Sequence, residues 1–204
     1  MEVELKYAIP DKNAAEKIWY DSCLSEKSES GSRERLTLKA AYFDTEDGTL
    51  SSNDIAFRVR MEGPRCVASL KWNGKSEGAL HVREEINVPV SGDSCLMAPD
   101  PEVFRESDIG LKVINLIGDK HLVNVMEVVF LRRRLRIDTG RSIIEASIDT
   151  GDIITDSGPV PVCELELELF SGCRDDLFEL GEKLAERYGL VPEERSKYAR
   201  GLTR

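Results

Sequence analysis

Apolar and charged residues alternate along most of this chain with a period of two, the pattern of strands whose faces meet different surroundings. The alternation predicts strands over residues 2–8, 35–43, 55–62, 65–72, 80–90, 123–137, 142–149 and 162–170. Turn-forming pairs punctuate them: Asp47-Gly48, Gly63-Pro64, Asn73-Gly74, Thr139-Gly140 and Gly158-Pro159. Two hairpins follow, 55–62 with 65–72 and 123–137 with 142–149. Three segments show helical spacing instead. The first covers 11–26, with Asp11 as cap and Ala14, Ala15, Ile18 and Trp19 as its apolar stripe. The second covers 101–116 and ends near Gly118. The third covers 174–188, carries Leu177, Phe178, Leu180, Leu184 and Tyr188, and stops at Gly189. With no repeat, low-complexity tract or linker, the expectation is one domain over residues 1–204, of the α+β class and mainly antiparallel β.

The polar faces of these strands carry full charges of both signs. Glu2, Glu4 and Lys6 oppose Val3, Leu5 and Tyr7, and Arg58, Arg60 and Glu62 oppose Phe57, Val59 and Met61. Lys71 shares a face with Ser69, and Arg83 with Glu85. Arg132, Arg134 and Arg136 share another, Glu145 and Asp149 flank Ser147, and Glu164, Glu166 and Glu168 alternate with Leu165, Leu167 and Leu169. For any single strand a solvated face is the plain reading. Like charges repeated along one strand are nevertheless unfavourable unless cations lie nearby. With Lys39 and Lys197 added, these faces hold ten bases against nine acids, near balance in a chain of net charge −10. The two sets are therefore expected to face each other. Closing the sheet into a barrel does this and removes its edges. The leucine-rich faces would point outward beneath helices, and the lumen would be polar and charged.

Such a lumen has a definite chemistry. Clustered carboxylates without histidine partners suit hard divalent cations, Mg²⁺ or Mn²⁺. Only His81 and His121 are present, so a histidine-rich metal site is excluded; His81 shares the face of Arg83, which allows a weak phosphate contact, but a structural or exposed histidine is the plainer reading. Arginine forks and lysine point charges suit phosphate oxygens. Together they support phosphoanhydride hydrolysis, in which cations neutralise the transferred and leaving groups and a carboxylate orients water. A net charge of −10 argues against nucleic acid or anionic lipid as partner. The apolar runs are too short to span a bilayer, and the N-terminus lacks a signal peptide's features. Five cysteines without Cys-x-x-Cys spacing argue against a disulfide framework and fit a reducing cytoplasm. Nothing in the sequence sets an oligomeric state.

Taken together, the residues resemble the CYTH family of triphosphate tunnel metalloenzymes. The signature is Glu-x-Glu-x-Lys at Glu2, Glu4 and Lys6. In family order follow Tyr42-Phe43-Asp44-Thr45, Arg58-Val59-Arg60, Leu70-Lys71, Arg83-Glu84-Glu85, Arg132 to Arg134, Glu145 to Asp149, Cys163 to Glu168, Ser196-Lys197 and Arg200-Gly201. The resemblance implies an eight-stranded closed antiparallel tunnel that binds a small-molecule triphosphate with one or two divalent metals. By it, Glu2, Glu4, Glu164 and Glu166 are metal ligands, and Glu145 and Asp149 lie near a second metal or the water. Lys6, Arg58, Arg60, Lys71, Arg83, Arg134 and Lys197 are phosphate ligands, joined by Arg132. Glu168 and Arg136 fall toward a tunnel mouth, and Asp44 shapes a turn. The wording of 163–169 and 196–201 resembles the bacterial inorganic triphosphatases, implying hydrolysis of inorganic triphosphate to pyrophosphate and phosphate. Thiamine or nucleoside triphosphatase, class IV adenylyl cyclase and a non-catalytic polyphosphate or nucleotide binder are the alternatives.

Overall fold

The computed structural model describes residues 1–91 and 96–202. Eight strands form a closed antiparallel barrel. In chain order they are β1 (Glu2–Ala8), β2 (Glu34–Thr45), β3 (Ile55–Glu62), β4 (Arg65–Glu77), β5 (Leu80–Val90), β6 (Leu122–Asp138), β7 (Ile143–Thr155) and β8 (Gly158–Ser171). Around the barrel the order is β5-β4-β3-β2-β6-β7-β8-β1, and β1 returns to β5 through Glu2↔Arg83 and Glu4↔His81. A two-residue β9 (Val191–Pro192) adds to β1. The helices are α1 (Lys12–Trp19), α2 (Ser22–Ser25), α3 (Asp108–Ile117), α4 (Arg174–Tyr188) and α5 (Lys197–Leu202).

Local chemistry explains where the elements stop. The segment expected as one helix over 11–26 is two. Asp11 caps α1 by accepting from the Ala14 N–H, and Asp21 interrupts the run to cap α2 through the Cys23 N–H. The second expected helix opens as a 3₁₀ turn at Pro101–Phe104, after which Ser107 caps α3. Asn73-Gly74 is not a turn: it sits in β4 as a bulge, with Asn73 at φ 52°, and the chain reverses at Gly78 instead. The last two strands run past their expected limits and pair as a further hairpin, which extends beyond Asp149↔Glu164 out to Thr155↔Gly158. Gly151, Pro159 and Pro161 hide this pairing from a propensity reading. Gly151 is demanded by close approach, since a Cβ there would lie 2.1 Å from the Val129 carbonyl oxygen.

Two apolar layers lie outside the barrel. In one, α1, α2 and α4 cover Val3, Leu5, Tyr7, Leu165 and Leu167. In the other, α3 covers Phe43, Phe57, Val59 and Leu70 through Val113, Ile117 and the 3₁₀ residue Phe104. A third cluster departs from the expected wholly polar lumen. Leu38, Ala40, Tyr42, Met126, Val128, Phe130, Ile153 and Val162 share strand faces with the lumen charges and close part of the interior. The short α5, which lacks a periodic pattern long enough to read, packs on this cluster: Tyr198 stacks on Tyr42 at 5.1 Å. Lys39, expected in the lumen, points out and pairs with Glu127. Cys66 is disulfide-bonded, a departure from the cysteine reading, whereas Cys23, Cys163 and Cys173 are free thiols; Cys95 lies outside the described residues. No helix among the described residues is long and apolar enough to cross a membrane.

Leu167 is wholly buried in the first outer layer, facing away from the lumen. Leu167→Ala is expected to cost about 2–5 kcal/mol in denaturant unfolding. A loss below about 1 kcal/mol would show that this layer does not hold the barrel.

Candidate active site

The inward residues converge on one cavity of about 230 Å³. β1 supplies Glu2, Glu4 and Lys6; β3 supplies Arg58 and Arg60; β4 and β5 supply Lys71 and Arg83. Across the lumen stand Arg132 and Arg134 of β6, Glu145 of β7, Glu166 of β8 and Lys197 of α5. Asp149 and Glu164 do not line the cavity; both are wholly buried behind it and reach it through their cation partners. The metal and phosphate ligands expected from the resemblance therefore either line this cavity or pair with residues that do, whereas Lys39 does neither. Glu85 also lines the cavity, as does Glu168, which was expected at a mouth.

Charges are paired wall by wall. On one wall Glu2 accepts from Arg83 Nε at 2.6 Å and Lys71 Nζ at 3.3 Å. Glu85 accepts from Lys71 at 2.6 Å and lies 3.5 Å from Arg58. Glu4 receives Arg83 at 3.1 Å and Lys6 at 3.3 Å. On the other wall Arg132 grips Asp149 with two nitrogens, at 2.8 and 2.7 Å, and also bonds Glu166. The Lys197 ammonium donates to Asp149 at 2.7 Å, to Glu166 at 3.0 Å and to Glu164. Arg200, outside the predicted ligand set, completes Glu164 at 2.9 Å. Carboxylate oxygens of Asp149, Glu164 and Glu166 lie within 4.8 Å of one another, close enough to share one cation.

The pairing is incomplete, and the titration of the groups reveals where. Burial would raise the Glu2 carboxyl, but Lys71 and Arg83 hold it well below the usual range. Against the same penalty, Lys197, Lys6 and Arg132 hold Glu166 low. Glu168 goes the other way: burial and the facing carboxylates Glu2, Glu4 and Glu145 push it up to about 8. Burial beside Arg83 and Arg58 pulls Lys71 down to about 8. Burial beside Arg58 and Arg132 pulls Arg60 down to about 10. The buried Nε atoms of Arg58 and Arg60 have no hydrogen-bond partner. One region thus has excess negative charge and another has guanidinium groups with donors to spare.

Both ends of the cavity are differentiated. Beside α5 a second cavity of about 320 Å³ shares Lys71, Arg83, Ser196 and Tyr198 with the first, and adds Trp72, Val82 and Leu202. At the other end Arg134 and Glu145 border a third cavity with Arg136, whose guanidinium lies 5.4 Å from the Phe170 ring centre. Arg136 is therefore at a mouth, as expected. His81 is buried and structural: its Nε2 lies 2.7 Å from the Glu193 carbonyl oxygen and its Nδ1 3.0 Å from Ser76 Oγ. Asp44 holds the turn after β2 by accepting from the Thr45, Leu50 and Ser51 N–H groups.

The CYTH domain family model matches residues 1–202. This chain belongs to the CYTH family. A curated relative, the inorganic triphosphatase of Haemophilus influenzae, is 30% identical over 98% of the chain. The chain spans about half, 54%, of that relative's length. Among solved structures, a Hippeastrum protein described as an adenylyl cyclase candidate with dominant triphosphatase activity superposes with a TM-score of 0.69 at 21% identity, over 98% of this chain and 94% of that one. The triphosphatase of a Mimivirus capping enzyme reaches 0.52 at 13% identity, over 92% and 89%. At such identities the likeness is one of fold, and the CYTH barrel is the shared element.

Glu168 generates a test in chelator. Its folded value of about 8 lies above the ordinary 4.5, so the folded state binds more protons between those pH values. Its contribution to stability is fully present below pH 4.5 and is lost as pH rises toward 8. Glu168→Gln is expected to stabilise the metal-free protein at pH 8 by about 1–3 kcal/mol and to flatten this slope. Parallel pH–stability curves for the two proteins would refute the reading.

Proposed function

We propose that this CYTH protein hydrolyses inorganic triphosphate to pyrophosphate and phosphate with a divalent cation, Mg²⁺ or Mn²⁺. The observation that carries this reading is that one cavity holds both an under-neutralised carboxylate, Glu168, and guanidinium groups with unpartnered Nε donors, Arg58 and Arg60. A metal–triphosphate complex presents both complementary charges at once.

The donor set fits such a cation. It is all carboxylate, which suits hard ions, and the Lys197 ammonium among Asp149, Glu164 and Glu166 marks a place where positive charge is required. Glu2 and Glu4 would hold the cation from β1, with Glu164 and Glu166 from the adjoining β8 and Asp149 from β7. When bound, the metal would neutralise phosphoryl oxygens and favour ionisation of an attacking water. Arg58, Arg60 and Arg134 would take phosphate oxygens through their planar forks, with Arg132 presenting what its grip on Asp149 leaves free. Lys6, Lys71, Arg83 and Lys197 would add point charges along the chain of phosphates. Lys6, wholly buried between Glu4 and Glu166, would meet the phosphoryl group beside the metal. Asp149 is saturated by two cations, so Glu145, which lines the cavity, is the better placed to orient water.

One observation favours a second reading. The cavity beside α5 places Trp72 and Tyr198 next to Lys71 and Arg83, room for an organic group on a triphosphate. Phosphate release with Mg²⁺ or Mn²⁺ from inorganic triphosphate, thiamine triphosphate and ATP decides between them. Inorganic triphosphate is expected to give the highest kcat/KM, and preference for either organic substrate would overturn the first reading. Cyclic AMP in the ATP samples would reveal a cyclase, and triphosphate binding without turnover a sensor. Glu4→Gln and Glu166→Gln are each expected to cut metal-dependent kcat by about 10²-fold or more without loss of fold. Lys6→Ala is expected to raise KM for triphosphate more than the metal concentration needed for half activity. An unchanged KM would remove Lys6 from the phosphate ligands.

A further inference from the structure

Lys197 reaches the lumen from α5, not from a barrel strand, so its position depends on whatever fixes the segment before it. α5 has six residues, too few for a helix to hold itself in water. The strap from β9 to α5 is fastened at Glu193. Its N–H donates to the Lys6 carbonyl at 3.0 Å, and its carbonyl lies 2.7 Å from His81 Nε2. These two bonds tie it to β1 and β5, the strands whose pairing closes the barrel. Its carboxylate accepts from the Arg195 N–H at 3.0 Å and from Arg200 at 3.4 Å, and Arg200 continues to Glu164. Three residues after Glu193, Ser196 Oγ accepts from the Ala199 N–H and starts α5, with Lys197 next in the chain.

The hydrogen bond fixes the histidine's form. A carbonyl oxygen only accepts, so Nε2 carries the proton, and Nδ1 accepts from the hydroxyl of Ser76, its cross-strand partner. The ring is 5% exposed, so no water substitutes readily for either bond. We infer that His81 is a positioning residue for Lys197: by donating to the Glu193 carbonyl it seats the strap that delivers the ammonium to Asp149, Glu164 and Glu166. The inference rests on the reading of Lys197 as a phosphate ligand.

The test is a double-mutant cycle read by KM for inorganic triphosphate. His81→Leu removes the donor and is expected to raise KM about five- to tenfold, the effect of one buried hydrogen bond acting through position. His81→Gln, whose side-chain amide can still donate, is expected to stay within about twofold of wild type. In a Lys197→Ala background His81→Leu is expected to have no further effect, because the group it positions is gone. An equal effect in both backgrounds, an unchanged KM in His81→Leu, or a His81→Gln as impaired as His81→Leu would each overturn the inference. Should His81→Leu fail to fold, Ser76→Ala takes its place: freeing Nδ1 allows the other tautomer, so KM rises in the native background and not in Lys197→Ala. A wild-type protein that turns over no triphosphate defeats the proposed activity but not this inference. The same variants are then ranked by calorimetric affinity for triphosphate, with the same pattern expected and the same outcomes overturning it.

Discussion

The structure depends on charges of opposite sign being buried together. Asp149 and Glu164 have no exposed surface, and an isolated carboxylate in such a place costs several kcal/mol even after relaxation. Arg132, Lys197 and Arg200 make those positions tolerable, and they do so from β6 and from α5 while the acids stand on β7 and β8. A flat sheet of this order would leave Glu2 and Glu4 near one edge and their partners Lys71 and Arg83 near the other. Closure brings them face to face, and the pairing of Glu2 with Arg83 at the seam shows the same interaction operating where the barrel shuts. Fold and site therefore share one cause. Removing one member of a pair here leaves a buried uncompensated charge, so the penalty appears in stability as well as in chemistry.

Neutralisation is deliberately uneven in its outcome, whatever its origin. If each acid had its own base, the lumen would be a set of closed salt bridges with nothing left for a ligand. Instead Glu168 stands against three carboxylates, and Lys71 and Arg60 each lose affinity for their protons among neighbouring cations. These are opposite frustrations a short distance apart, and adding a cation to the first and a polyanion to the second relieves both. Groups already held in place by the barrel need little reorganisation when such a complex arrives, which is the condition under which buried electrostatics contribute most to a reaction.

Much of this was legible in the chain because the period of a strand is two. Glu164, Glu166 and Glu168 had to share a face, as did Arg58 and Arg60, and the leucines between the glutamates had to point to the opposite, covered side. The near balance of bases and acids on those faces then pointed to closure. What escaped the reading has specific reasons. Phe130, Val128, Tyr42 and Ala40 occupy the same strand faces as the charges, yet nothing local marks an apolar residue as lumen-facing on a strand that is apolar on both sides. Gly151, Pro159 and Pro161 carry weak strand propensity, and register with a long partner overrides it. Lys39 sat in the right parity for its own strand only if the strand faced the other way. Glu193 and Arg200 have no periodic context at all; their roles come from a strap whose course is set by tertiary contacts.

The apolar cluster within the lumen and the strap of Glu193 solve one problem between them. A closed barrel with a charged interior would leave an open end, through which water would screen every pair. The Tyr42–Tyr198 stack and the packing of Gly201 against Met126 shut part of that end with apolar surface, and the same helix carries Lys197 down to the acids. The plug therefore lowers the local dielectric around the very charges it helps to neutralise. Because a six-residue helix has almost no stability of its own, its hold on the site is only as firm as its contacts at both ends: the aromatic stack inside, and the two backbone bonds of Glu193 outside. The electrostatics of the lumen and the packing of its lid are thus a single cooperative unit, in which the neutral imidazole of His81 matters as much for where it sits as any charge it touches.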